Sequence, residues 1–136
     1  MPRDVPLLRS EASGTESGDF AMGGASGAYV RRPLHLVGRD DIRAAYVQTD
    51  RVKRYPFGEV LLLEKLKPPS PGDYAVIEMV KRDGEALAPA HLGEVTAVTA
   101  SKITLAQNNP NKTFDLERKK IANLYRVITL AEILGG

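Results

Sequence analysis

The sequence has 136 residues, 43% apolar and 26% charged, with 19 basic and 17 acidic side chains and a net charge of +2. Such a chain is long enough to bury a real core as one globular domain, and its charge balance lacks the strong or clustered basic excess of a dedicated nucleic-acid binder. With no cysteine, disulfides and thiolate metal sites are excluded, and the short apolar runs exclude a membrane-spanning helix.

The first 28 residues open on Val5-Pro6-Leu7-Leu8 and then turn small and polar, from Ser10 to Asp19 and again from Gly23 to Gly27. That composition predicts a mobile arm over residues 1–28, with a β core over 29–136. Arg3 and Asp4 stand where a signal peptide needs an apolar stretch, so a cytoplasmic protein is the default expectation. Ala28-Tyr29-Val30-Arg31-Arg32 reads as a short strand stopped by Pro33, and 39–43 as a turn.

Strands are expected around Ala44–Gln48 and Glu59–Glu64, and a rigid proline-rich link (65–73) leads to a strand over Tyr74–Val80. That last run is apolar on both faces, which predicts a central place in a sheet. Residues 81–90 read as turn and loop. His91–Thr99 alternates and pairs with Lys102–Gln107 through a tight turn. Asn108-Asn109-Pro110-Asn111 predicts a further turn, because Asn tolerates left-handed backbone and Pro presets φ. Lys112–Leu116 and Ile121–Thr129 follow as strands, and Ala131–Leu134 as a short helical tail. No 3.6-residue periodicity persists, so the fold class is mainly β.

The chemistry-bearing stretch is Gln48–Val60, which interrupts two apolar runs with Asp50, Arg51, Lys53 and Arg54 before Tyr55-Pro56-Phe57-Gly58 closes it. A charged break between strands can present a reactive group at a sheet edge. The other reading is a solvated face on which Asp50 pairs with its basic neighbours. His35 and His91 are far apart and carry no ligand spacing, so no metal and no cofactor is expected. Ser70, enclosed by prolines, suits turn chemistry. Arg31-Arg32, Arg51-Lys53-Arg54 and Arg118-Lys119-Lys120 are the candidates for direct nucleic-acid contact, each with the alternative of a solvated charged face.

Three pieces in order resemble the C-terminal domain of LexA and LexA-like phage repressors, the serine–lysine self-cleaving family. They are Val5-Pro6-Leu7-Leu8 leading to Ser13-Gly14; Thr49–Val60; and Pro71-Gly72-Asp73 with its strand, followed by Leu92-Gly93-Glu94-Val95, Leu105–Pro110 and Tyr125-Arg126-Val127-Ile128. The resemblance implies a fold of twisted, mostly antiparallel sheets with little helix. It implies a bond cut in the family at the place of Ser13-Gly14. Counted from Gly58-Glu59, the family's nucleophilic serine falls on Asp50; counted from Leu92 and Val95, the family's lysine falls on Gly93. Neither residue type supports a hydroxyl activated by a neutral amine, and no serine lies between residues 27 and 69.

The expectation is a catalytically degenerate domain, a pseudo-protease, that dimerises a helix-turn-helix transcriptional regulator. Its DNA-binding half is not in this sequence, and its trigger is an unnamed ligand or protein. The arm over 10–27 would be the natural occupant of the former cleft. Tyr125, Val127, Ile133 and Leu134 are the expected dimer surface, on an apolar final strand at an open edge. The alternatives are surviving cleavage at Ser13-Gly14 through other residues, and a stand-alone nucleic-acid module.

Overall fold

The computed structural model describes residues 3–12 and 18–135. The strands are β1 (Arg3–Ala12), β2 (Phe20–Arg31), β3 (Ile42–Tyr46), β4 (Val60–Glu64), β5 (Tyr74–Met79), β6 (Ala88–Val98), β7 (Lys102–Asn108), β8 (Asn111–Glu117) and β9 (Ile121–Val127). Two 3-10 turns, Leu34–Leu36 and Arg118–Lys120, and a one-turn helix α1 (Leu130–Ile133) are the helical elements among the described residues. The mainly β expectation holds.

One mixed sheet runs β2-β1-β3-β4-β9-β5-β6-β7-β8, and a further pairing joins β2 to β6. That pairing closes seven strands into a ring, and the β7–β8 hairpin continues outward from β6. All seven strands of the ring send side chains to one shared core: Leu8, Phe20 and Met22, Ala45, Leu61 and Leu63, Tyr125 and Val127, Val76, and Ala90 and Leu92. Within a strand these positions are two apart, as the pleat requires for side chains on one face. A second core, built on Ala75, Ile77, Val95, Ile103, Leu105 and Leu116, lies on the other face of β5 and β6. The register shifts between Val95 and Ala97. Such a bulge bends its strand, and the bend lets β7 and β8 lie over that face.

Two expectations change here. Much of the predicted arm, residues 3–12 and 20–28, is strand. β1 and β2 pair antiparallel from Arg3↔Arg31 to Ala12↔Phe20, and Val5, Leu8, Phe20 and Met22 are core. The small, polar stretch of β2 is exposed beyond Met22, so its composition reflects a solvent-facing ribbon and not a lack of structure. The second change concerns the last strand. β9 lies between β4 and β5, so Tyr125 and Val127 face the inner core and are not available to a partner chain. An apolar strand late in the sequence is central here because β4 and β5 flank it; chain order does not place it at an edge.

An ionic network ties the β4–β9 pairing to its flanking segments. Glu64 and Arg126 are both nearly inaccessible. Arg126 donates to Glu64 and, through its two terminal nitrogens, to Glu132 at 2.8 and 2.5 Å. Arg39 reaches Glu64 at 2.7 Å and Asp41 at 2.9 Å. The bonds from Arg126 hold the Glu132 carboxyl down to about 2, against a cost from burial. Glu132 also closes a capping box with Thr129, so α1 is anchored both by its cap and by β9.

Arg126→Leu is expected to cost about 3–5 kcal/mol, because it strips a buried carboxylate of a partner. Chemical denaturation measures it. Glu132→Gln costs far less, since that carboxylate is partly exposed and screened. The Glu132 contribution is complete above its ordinary pKa of 4.5 and is lost as pH falls toward about 2. Between about pH 5 and about pH 3 the wild type should therefore lose more stability than Glu132→Gln.

Candidate functional site

The segment between β3 and β4 plugs one end of the ring. Its neck is closed by the Val47 N–H donating to Glu59 O (2.7 Å) and the Gly58 N–H donating to Val47 O (2.8 Å). Gly58 has φ 93°, a left-handed backbone that glycine adopts without strain. Val52 is 2% exposed and belongs to the inner core. The β7–β8 turn clamps the rest: the Asn108 and Asn109 N–H groups both donate to Arg51 O. Asn109 Nδ2 donates to Asp50 O (2.7 Å), and the Lys53 N–H donates to Asn108 Oδ1 (2.9 Å). The asparagines thus act through these bonds and not through left-handed backbone, since no described non-glycine residue has positive φ. Gln48 reaches back to Ser10 O and Oγ on β1.

Where this plug meets β6 there is a cavity of about 210 Å³, lined by Val52, Tyr74, Glu94, Ala106, Gln107, Asn108 and Asn111. Neither Asp50 nor Gly93 lines it. Asp50 is exposed, and its carboxylate forms no ion pair among the described residues, contrary to the expected pairing with Arg51, Lys53 or Arg54. Gly93 is buried against β7: a Cβ there would sit 2.9 Å from the Ala106 carbonyl oxygen and 3.3 Å from Leu105 Cβ. The residue of β6 that lines the cavity is Glu94, opposite Tyr74 on β5. Burial, then the Glu94 charge, push the Tyr74 hydroxyl pKa up. Tyr55 meets Tyr74 edge-on at 5.3 Å, and the Arg54 guanidinium lies over both rings at 5.7 and 5.4 Å. Ser13 and Gly14 lie outside the described residues.

A second polar cluster went unnoticed in the sequence. Asp19 Oδ2 is 3.1 Å from His91 Nδ1 and accepts from Gln107 Nε2 at 2.5 Å, while Gln107 Nε2 also donates to Leu92 O at 3.0 Å. Burial alone would raise the Asp19 pKa; the bonds from His91 and Gln107 and the charges of His91 and Lys112 outweigh it, and the pKa is lowered. The cluster sits beside the β2–β6 seam, where the Asp19 N–H donates to Ala90 O (2.8 Å). Its members are 72 and 88 residues apart, and no local pattern links them.

The other candidates separate. Arg32 is buried and bound to Asp4 (2.9 Å) and to the Leu36 carbonyl (3.0 Å), so it leaves the set of nucleic-acid contacts. Lys119 and Lys120 lie 3.8 and 3.6 Å from Glu117. Ser70 serves its turn through its backbone: its N–H donates to Asp73 Oδ2 and its carbonyl accepts from the Asp73 N–H, both at 2.9 Å. Ile133 packs on a third core with Val5, Leu36, Ile42, Ala44 and Ile128. Leu134 is 69% exposed.

Fold and site together describe a mainly β ring whose plugged end is lined by a carboxylate, a phenol and amides, with no serine or lysine among the lining residues. No family model matches the chain. The chain is 30% identical over 127 residues to Repressor protein C of Rhizobium phage 16-3, an alignment covering 91% of this chain and 48% of that protein. It therefore spans about half the length of this curated relative.

Gly93→Ala should destabilise the chain by about 1–3 kcal/mol, as overpacking against backbone does. Asp50→Asn should change stability by no more than about 0.5 kcal/mol, as at other exposed and unpaired positions. Urea titration of both variants checks the contrast.

Proposed function

We propose that this chain is the regulatory half of a phage-repressor-type transcriptional regulator, LexA-like in fold and without self-cleavage. The similarity to Repressor protein C over nearly the whole chain carries this reading. The site adds chemical support. Amide cleavage of the serine–lysine type needs a hydroxyl nucleophile beside an amine that can be neutral. The cavity between plug and β6 offers Glu94 and Tyr74 instead.

On this reading residues 1–136 act as one unit in the cytoplasm, and contacts to DNA come from a part of the protein outside this sequence. The unit's task is to pair two copies and so set the spacing of two DNA-binding elements. The dimer face comprises the exposed Leu34, which opens the first 3-10 turn, and Leu134 beyond α1, two elements that pack together. Tyr125 and Val127 of the earlier set are replaced by Leu34.

Two measurements test this. Incubated at alkaline pH and weighed by mass spectrometry, the chain should stay intact; a cut between Ser13 and Gly14 would reinstate the self-cleaving alternative. In light scattering at tens of micromolar, a working range for weak interfaces, the chain should be a dimer. Leu34→Glu/Leu134→Glu should be a monomer with unchanged circular dichroism. A monomeric wild type would remove the pairing role.

A further inference from the structure

A concavity larger than the plugged cavity lies beside β4. β4 and β9 pair at Leu63↔Val127 and Glu64↔Arg126, and the Ile128 N–H still donates to Leu62 O at 2.9 Å. Thr129 then caps α1 and the chain turns off the sheet. The flank of β4 beyond Leu62 is left uncovered, and the space is a groove of about 700 Å³. Apolar side chains of Leu62, Ile128, Ile133 and Val60 line it. Val60 is 44% exposed there. Volumes of about 300–1,000 Å³ with apolar walls and a few polar groups are typical of small-molecule sites.

The polar groups of the groove have a sign. Arg31, at the end of β2, and Arg54, from the plug, both line it, with Glu59 as the opposing charge. Neither arginine forms an ion pair among the described residues, whereas Arg32, Arg39 and Arg126 all do. Arg54 is held over the Tyr55 and Tyr74 rings, which orients the guanidinium without neutralising it. Two uncompensated guanidiniums against one carboxylate favour an anion, and guanidinium binds a carboxylate through paired donors.

We propose that this groove binds an amphipathic monoanion, with an acyl chain along Leu62, Ile128 and Ile133 and a carboxylate at Arg31 and Arg54. The site stands on its own lining and does not rest on the regulatory reading. The probe is dodecanoate, titrated below its micelle concentration into the whole chain and followed by calorimetry and amide NMR. One site per chain is expected, with shifts centred on β4 and α1. Arg31→Gln/Arg54→Gln should bind about tenfold more weakly or worse, the scale of lost charge-assisted bonds. Val60→Glu, at a position 44% exposed, should also weaken binding while leaving the circular dichroism unchanged. Dodecyltrimethylammonium, with the same chain and opposite charge, should not compete. The proposal fails if the cation binds as tightly, if the double variant keeps its affinity, or if dodecanoate does not bind. It also fails if affinity falls as protein concentration rises, which would give the groove to a second copy of the chain.

Discussion

Glu64 is the point on which the sheet turns. A carboxylate this deeply buried persists only with partners in place, and it has two: Arg126 from β9 and Arg39 from the loop before β3. The same Arg126 holds Glu132. One charge cluster therefore fixes four things at once: the β4–β9 pairing, the path of the 34–41 connection, the start of α1, and the place where β9 leaves β4. Swapping such a cluster for apolar side chains is often neutral or favourable in stability. What the ions supply here is geometry, because guanidinium forks accept few arrangements. The groove beside β4 is a consequence: the ladder ends where Arg126 and the cap of α1 end it.

The second constraint is closure. β2 meets β6 over only three residue pairs, Phe20↔Ala90, Ala21↔Pro89 and Met22↔Ala88. Pro89 can donate no ladder hydrogen bond. Asp19 strengthens this short seam with a backbone bond to Ala90 and with His91 and Gln107. Gly18 lies so close to Pro89 that a Cβ would come within 2.8 Å of its Cβ. The ring is thus closed by a small apolar contact and a buried polar triplet, while Val52 fills its end. The segment that looked most like a presentation loop is a plug whose backbone is bound at both sides.

Much of the local structure was legible. Val76 and Ile77, apolar on opposite faces, correctly marked β5 as central, and the alternation from His91 to Val98 with its tight turn gave the β6–β7 hairpin. Long-range choices were not legible. Nothing near Tyr125 says whether β4 and β5 will flank it. Nothing near Ser10 says that Met22 lies opposite. Glu64, Arg126, Asp19 and Gln107 look like ordinary surface residues until distant strands bring them together. The site suffered from a narrower problem. A strand's faces alternate residue by residue, so an offset of one exchanges inside for outside. Gly93 and Glu94 differ by one position, and only Glu94 lines the cavity behind the plug.

That offset decides the chemical character of the cavity. Gly93 packs against the Ala106 carbonyl and does not line the cavity, whereas Glu94 puts a carboxylate in the lining, opposite a phenol whose pKa is raised. An anionic lining opposes the anion that forms when a carbonyl is attacked, whereas catalysis of acyl transfer needs donors and positive charge there. The Arg54 guanidinium is engaged by the Tyr55 and Tyr74 rings, and Arg54 also lines the larger groove. The arrangement therefore places carboxylate at the plugged cavity and unpaired guanidinium at the open groove, so the surface suited to receive a negatively charged group is not the one that the resemblance first points to.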